Sequence, residues 1–458
     1  MPEKESIEEC GGYFFIEWLL QTGRNMECVH SGLDIFESPG LQTSILEGEY
    51  MEYRPVASLD DSGGPIEFVL KGGSHYIDLA NTYLRVKAKV VQPGGRDLAP
   101  NAPVVPMNLT LHSMFSDVTL FLNNVQVNST SGAYGYQAYL QTLLSYSPEV
   151  KRTQMEAAMF YADTAGHMDD VAGDDNKGMV KRKERAAESK SMDLMGRLHC
   201  DLFHQGKYLL SHLDMRIKLT RAKDSFVLSC APEGAGAAAV RVQYKLHLED
   251  AALFVRRVTV SPVIALAHEK TLEKTNAVYP IVKTVMRVFT ASAGALFFQE
   301  DHLFMDRVPN KLVIGFVKAA AYNGALGLNP YNFEHCDLNF IRLYHNGTSI
   351  PGKGLRPNYE DGQYTDAYMS LFTGTNSAWT DVTCGIRLED YPRGYTLYAF
   401  DLSPSLAHSH AAVEVGHAGP VRLECQFKDG LAHPMNVVVY AEIDSQVRVT
   451  KAREVLTL

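Results

Sequence analysis

The sequence predicts an all-β chain built from two tandem sandwiches, and a duplicated stretch is the main reason. DVTLFLNNVQV (Asp117–Val127) is followed by YGYQAYLQTLL, and LNFIRLYHNGTSI (Leu338–Ile350) is followed by YTDAYMSLF. Each copy joins a strand-like run, a short turn, and an Ala-Tyr step with apolar residues at helical spacing. The two copies lie about half a chain length apart, which indicates a duplicated domain.

The turn residues support this interpretation. Asn123-Asn124 and Asn346-Gly347 tolerate positive φ, which two-residue hairpins of the right twist require. A second pair of similar segments supports the duplication, because LHCDL (Leu198–Leu202) and YAFDL (Tyr398–Leu402) each precede another strand-like run. Chance similarity between hairpins is the alternative to duplication, and this second pair disfavours it.

Length and composition fit two soluble domains. A chain of 458 residues with 46% hydrophobic residues suits two domains of about 200 residues each. A net charge of −10 argues against a dedicated nucleic-acid binder. Seven scattered cysteines without a CxxC pair indicate a reducing compartment and neither a disulfide framework nor a zinc site. No run approaches the ~20 apolar residues that span a bilayer, so no membrane span is predicted.

The chain is divided by its patterns into an N-terminal arm or extension (residues 1–32), a first sandwich (residues 33–262) and a second (residues 263–458). Little periodicity appears in residues 33–59 before Tyr50. Helical spacing is predicted in residues 149–161 and at the junction, residues 263–276. Strands are predicted at residues 65–70, 76–79, 83–90, 117–127, 210–228, 244–260, 278–289, 311–317, 338–350, 395–402, 421–427 and 435–443.

Two charged segments have open alternatives. Alternation in YLRVKAKV places Arg85, Lys87 and Lys89 on one outward face, for which a solvated surface is favoured over phosphate binding. The polar segment 163–190 is predicted to be a projecting loop. Its basic run, Lys181–Arg185, is interpreted as a solvated stretch, with a nuclear-import signal as the alternative.

The sequence contains few candidate catalytic or metal-binding motifs. Short strands with long loops in each half fit an eight-stranded jelly roll, and no strong catalytic pattern is present. His408, His410 and Glu414 resemble the first metal motif of cupins, but the flanking glycines and a second motif are missing. A polar loop is therefore favoured there, and neither a cofactor nor an enzyme is predicted. Cys200 and Cys425 lie in strand-like runs and are interpreted as small core residues.

Several blocks in order resemble one known family, the major capsid (hexon) proteins of Polinton/Maverick elements and adintoviruses. The resemblance extends from Leu33 to Asp444. The blocks are HSMFSDVTLFLNNVQV, YGYQAYLQTLLSY, RLHCDLFHQGKYLL, YNFEHCDLNFIRLYHNG, YMSLFTGT and EDYPRGYTLYAFDLSP.

The resemblance implies a double jelly roll: two tandem eight-stranded antiparallel β-sandwiches with short helices and long loops. It implies a homotrimer that forms a pseudo-hexagonal capsomer of an icosahedral shell around double-stranded DNA. The partners would be neighbouring capsomers and penton (vertex) and minor capsid proteins. The family offers no catalytic residues to transfer. By position, residues 163–190 and 374–391 are candidates for outer-surface or inter-subunit contacts.

The implied location is the virion capsid and the host cell interior, with the nucleus as the assembly site. Two alternatives remain at this stage. One is a host-domesticated capsid-derived protein or a lectin-like jelly-roll binding protein. The other is a cupin-like metalloenzyme that uses His408, His410 and Glu414.

Overall fold

A computed structural model describes residues 41–59, 63–128, 130–232, 242–305, 307–403 and 418–457. The described residues from Ile45 onward form one compact unit. The predicted N-terminal arm (residues 1–32) and the turn PEGAGAAA beyond Pro232 lie outside the described residues, as do His408, His410 and Glu414.

The strands of the first half of the chain begin at Ile45 and end at Val260. They are β1 (Ile45–Tyr53), β2 (Ile66–Leu70), β3 (Tyr76–Val91), β4 (Val104–Pro106), β5 (Phe115–Leu122), β6 (Val125–Asn128), β7 (Met192–Arg197), β8 (Met215–Arg221), β9 (Leu228–Cys230) and β10 (Lys245–Val260).

The strands of the second half begin at Ala277. They are β11 (Ala277–Ala291), β12 (Phe297–Phe304), β13 (Lys311–Lys318), β14 (Phe333–Glu334), β15 (Leu338–His345), β16 (Thr348–Leu355), β17 (Arg393–Gly394), β18 (Leu397–Asp401), β19 (Val421–Phe427), β20 (Met435–Val449) and β21 (Val455–Thr457).

Helices in the described residues are short. They are α1 (Thr110–Ser113), α2 (Tyr134–Ser145), α3 (Pro148–Arg152), α4 (Lys177–Ala186), α5 (Asp224–Val227), α6 (Pro262–Leu272), α7 (Ala319–Tyr322) and α8 (Thr365–Thr373), with 3₁₀ turns at Gln154–Ala158, Ala187–Ser189 and Asp201–His204. The predicted helices at residues 149–161 and 263–276 are confirmed as α3 with its following 3₁₀ turn and as α6.

Both halves have the same sheet topology. The first sandwich pairs sheet β1-β10-β3-β7 with sheet β2-β8-β5-β6, and the second pairs β11-β20-β13-β18 with β12-β19-β15-β16. Eight strands of each half form its sandwich, because β4, β9, β14 and β17 form two separate pairs and β21 is an addition to β20. Among these eight, the first strand lies beside the eighth, the eighth beside the third, and the third beside the sixth. The other sheet runs second, seventh, fourth, fifth. This order is that of a jelly roll, so the duplication predicted from sequence is confirmed.

The two hairpin turns form as predicted. Asn123 and Asn124 have φ of 45° and 66°, and Asn346 and Gly347 have φ of 48° and 79°. Two successive positive φ values make the turn whose twist matches the flanking strands. In each sandwich the hairpin is followed by a helix, α2 in the first and α8 in the second.

Several strand predictions were wrong. Strand β7 was not predicted, and the predicted strand at residues 210–228 contains helix α5 as well as β8. β1 and β12 were missed because both are edge strands rich in charged residues, and β1 has five consecutive exposed positions that erase the alternation. The predicted strands at residues 76–79 and 83–90 are one continuous strand, β3. A register shift in the neighbouring β10, between Phe254 and Arg256, accommodates its middle.

The sheets differ in how they are covered. β3 alternates buried and half-buried residues from Leu84 to Val90, so one of its faces is open, as the charged pattern predicted. In contrast, β13 is buried at seven successive positions and β20 at its first eight. Both faces of that central pair are therefore covered.

Candidate functional site

Aromatic side chains fill the junction between the two sandwiches. The ring of Tyr139 in α2 stacks on Tyr331 of the second sandwich, with centroids 4.1 Å apart, and Tyr136 stacks on Tyr322 at 5.2 Å. The Tyr331 hydroxyl lies 2.6 Å from the Ser113 hydroxyl. Because these groups come from both halves, the junction is packed like a domain core.

A buried ion pair lies beside these rings. The Arg182 guanidinium contacts the Asp163 carboxylate at 2.7 Å, and neither side chain is exposed (0%). Arg182 also donates to the backbone carbonyls of Pro106 (2.9 Å) and Tyr161 (2.8 Å). From the second sandwich, Asn329 donates to Asp163 at 3.2 Å. Protein groups therefore compensate both buried charges.

The predicted projecting loop at residues 163–190 is therefore wrong in part. Residues Lys177–Ala186 form helix α4, and the Asn176 side chain accepts from the Met179 amide at its N-terminus. Arg182, inside the basic run, faces the core rather than solvent. In the sequence the run looks solvated, because Asp163, the buried partner of Arg182, lies far from it along the chain.

The two loops singled out by position lie beside each other, because Asp163 and Lys181 of the first line the same cavity as Cys384 and Arg387 of the second. The Gly166 amide donates to the Arg393 carbonyl at 2.8 Å, and the Lys151 ammonium donates to the Cys384 carbonyl at 2.7 Å. Burial lowers the pKa of Lys151 to about 8. The loop of residues 374–391 also presents Trp379, which is 93% exposed.

A polar cavity of about 850 Å³ opens between the sandwiches. The first sandwich contributes Gln141 and the second contributes Thr284, which are joined by a hydrogen bond of 3.0 Å. Lys311 forms an ion pair with Glu442 at 2.6 Å, and Glu442 lies next to Thr284 in the same sheet. These polar contacts fix the junction, and the lining shows no nucleophile–base pair.

Burial perturbs several acids and bases around this cavity. It raises the pKa of Asp201 to about 7 and lowers the pKa of His204 to about 4 and of His112 to about 3. One carboxylate oxygen of Asp201 is buried without a hydrogen-bond partner. Ionisation of Asp201 is therefore costly in the folded chain, and so is protonation of the histidines.

One group of possible metal ligands lies in the described part of the chain. The group of His167, Asp170 and Asp175, which sequence reasoning missed, has ligand atoms within 4.8 Å of one another. It lies on a surface turn, where Asp170 accepts from the Gly173 amide. Cys200 and Cys425 are fully buried, as predicted, and burial raises the pKa of both thiols.

Exposed apolar groups concentrate on particular elements. Helix α6 presents Val263 and Leu266, and edge strand β12 presents Phe297. The open face of sheet β1-β10-β3-β7 presents Tyr50 and Met195. No helix among the described residues is both long and apolar enough to cross a membrane.

Comparison with known proteins identifies the fold. No family model matches the chain. An uncharacterized protein of Caenorhabditis elegans is 24% identical over 421 residues, which cover 89% of this chain and 96% of that protein.

Solved structures of viral capsid proteins match nearly the whole chain. A protein in the Sputnik virophage structure has a TM-score of 0.64 at 11% identity, covering 93% of this chain and 91% of its own. The faustovirus major capsid protein has a TM-score of 0.55 at 11% identity, covering 90% and 92%. The mavirus major capsid protein has a TM-score of 0.55 at 9% identity, covering 93% and 92%. With the strand order described above, these matches show a double jelly roll.

Proposed function

We propose that this chain is a major capsid protein that acts by self-assembly and carries no catalytic activity. The observation behind the proposal is the duplicated jelly roll, in which two sandwiches of one topology are joined by stacked aromatic rings. Solved capsid proteins with the same fold support it. Fold alone does not fix function, so the assembly behaviour is the point to test.

The assembly we propose is a homotrimer with six jelly rolls. Two sandwiches of identical topology in each of three chains approximate sixfold symmetry, and such a pseudo-hexagonal capsomer tiles an icosahedral shell around double-stranded DNA. Neighbouring capsomers and penton and minor capsid proteins would complete the shell. We propose residues 33–262 and 263–458 as the two jelly-roll domains, consistent with sheets that divide between Val260 and Ala277.

The sequence blocks quoted above favour a Polinton/Maverick or adintovirus-type origin. The relative in Caenorhabditis elegans supports an origin in which related chains reside in animal genomes. That same observation favours the second candidate, a host-domesticated capsid-derived protein that no longer builds particles. A lectin-like jelly roll or a cupin-like enzyme has no supporting contact among the described residues.

The deciding experiment is the native mass of the purified full-length chain. A stable species at three times the chain mass, followed by particles in electron micrographs, is the expected result. A strict monomer at high concentration contradicts the capsomer and favours the domesticated role. Stoichiometric metal in the same sample would instead revive the cupin-like alternative at His408, His410 and Glu414.

Assembly in the nucleus is part of the proposal. Because Arg182 is a core residue, deletion of the whole basic run would unfold the chain. The informative variant changes Lys181 and Lys183 to Ala and retains Arg182 and Arg185. Nuclear accumulation that persists in this variant contradicts the import signal.

A further inference from the structure

The cavity that the two loops share has a volume of about 470 Å³ and a basic lining. Helix α3 contributes Lys151 and Arg152, helix α4 contributes Lys177 and Lys181, and the loop of residues 374–391 contributes Arg387. Five basic side chains from both halves of the chain therefore surround one space. Self-assembly of the chain gives this space no role.

Most carboxylates of this cavity already have a basic partner. Asp163 pairs with Arg182 at 2.7 Å, and Asp390 pairs with Arg387 at 2.8 Å. Among the described residues that line the cavity, Glu156 is the one other carboxylate. No ion pair joins a described carboxylate to the four basic side chains that α3 and α4 contribute. They bring an excess of positive charge to a concave space, where the field of like charges is focused.

Lys151 is the buried member of this group, with 8% of the residue exposed. Its ammonium donates to the carbonyls of Leu143 and Cys384, which takes two of its three N–H donors. Carbonyls carry no net charge, and burial raises the pKa of the Cys384 thiol, so this thiol is neutral near pH 7. Buried charges are ordinarily paired. Lys151 has no carboxylate partner among the described residues, and this points to a counter-ion from outside the chain.

Helix α4 has two lysines at the cavity. Lys177 and Lys181 lie four residues apart, so they share one face of the helix, and both line the cavity. The Lys181 ammonium lies 5.5 Å from the centroid of the Tyr161 ring, which is part of the same lining. Lys183 belongs to the same helix but lies outside the lining. The helix therefore offers a lysine pair at the cavity and a third lysine away from it.

We propose that this cavity binds a small phosphate-bearing anion, whose oxygens accept from Lys151, Arg152 and the lysine pair of α4. Phosphate oxygens accept several charge-assisted hydrogen bonds at once and supply the negative charge that the lining lacks. Four basic side chains against one carboxylate match the charge of a di- or triphosphate better than that of a single phosphate. Such a group exists as free inorganic polyphosphate and as the tail of a nucleotide. Because the lining comes from both halves, the bound anion links the two loops.

The test is the binding of inorganic tripolyphosphate to the purified full-length chain, measured by isothermal titration calorimetry at constant ionic strength. Arg152→Gln and Lys177→Gln each remove one charged donor at an exposed position, so each should weaken binding about tenfold. Lys183→Gln is the matched control, because it removes the same charge from α4 outside the cavity. Its affinity should stay within about twofold of wild type, since solvent and salt screen a distant exposed charge. Absence of binding, or an equal loss in the control, overturns the inference.

Two further ligands identify the source of the anion and test whether the cavity itself binds it. Adenosine triphosphate that binds more tightly than tripolyphosphate assigns the site to a nucleotide, and equal or weaker binding assigns it to inorganic polyphosphate. A DNA duplex that binds as tightly, with the same losses in the variants, overturns the inference, because a duplex contacts an open surface and does not enter a cavity of this size. Native mass separates this result from the proposed function. The variants should keep the oligomeric state of the wild type, so failure to bind phosphate leaves the capsid proposal standing.

Discussion

The two sandwiches share one topology but differ in how their equivalent sheets are covered. In the second, β13 and β20 lie between two layers and bury both faces. In the first, β3 buries alternate residues, and ion pairs such as Arg85–Asp193 occupy its other face. The order of strands in each sheet therefore follows from the duplicated sequence. Whether a sheet face is buried depends on what packs against it. Equivalent substitutions at covered and open positions should therefore change the free energy of unfolding by different amounts.

The largest difference is expected between a buried and an exposed ion pair. Arg182→Met leaves the Asp163 carboxylate buried without a counter-ion, and we expect a loss of about 3–5 kcal/mol in the free energy of unfolding. Arg85→Met breaks a pair whose side chains are 39% and 49% exposed, so the loss should be about 0–1 kcal/mol. Denaturant titration of both variants measures this, and equal losses would contradict the comparison.

The second difference concerns pH. Burial raises the folded-state pKa of Asp201 to about 7, above its unfolded value near 3.8. The folded chain therefore binds more protons between these values, and stability is lost as pH rises through this range. At about 1.4 kcal/mol per pH unit, Asp201→Asn should gain about 2–3 kcal/mol relative to wild type between pH 5 and 7.

Asp193 on the open face is the control for this pH dependence. Its hydrogen bonds with Arg85 lower its pKa, so its contribution is present above the unfolded pKa and is lost only in stronger acid. Asp193→Asn should therefore show a constant difference from wild type between pH 5 and 8. Thermal unfolding across this range gives both curves. A flat curve for Asp201→Asn would show that its carboxyl group is not held neutral.

A smaller difference is expected for added volume. A Cβ at Gly315, in β13, would lie 2.5 Å from Phe333 and 2.7 Å from Leu397, so Gly315→Ala should cost about 1–3 kcal/mol. At Gly48, in β1, the nearest atoms belong to the flexible Arg256 side chain at 3.2 Å. Gly48→Ala should therefore change stability by about 0.5 kcal/mol or less. Chemical denaturation of the pair is the measurement, and the reverse ranking would be the contrary result.

The smallest effect is expected when single hydroxyl groups are removed at the junction or inside the second sandwich. Tyr331→Phe removes the bond to Ser113 across the junction and should cost about 1 kcal/mol. Tyr359→Phe removes a similar bond, to Tyr398, within the second sandwich. Amide hydrogen exchange should increase on both sides of the junction in the first variant but only in the second sandwich in the other. Identical exchange patterns would argue against an independent junction.

Features set by local chemistry were predictable from the sequence alone. Positive-φ turns at Asn123 and Asn346 need residues that tolerate that backbone, and the strand alternation around Arg85 follows from one buried face. The duplication was visible because both copies retain these local rules. The double jelly roll and the helices after each hairpin followed from the same signals.

Only the tertiary structure decided which faces are covered. The edge strands β1 and β12 left no alternation to detect, since much of their surface meets solvent. Arg182 looked like part of a solvated basic run because its compensating partners, Asp163 and two backbone carbonyls, come together only on folding. Burial of a charge depends on contacts between distant segments, and a single sequence does not record those contacts.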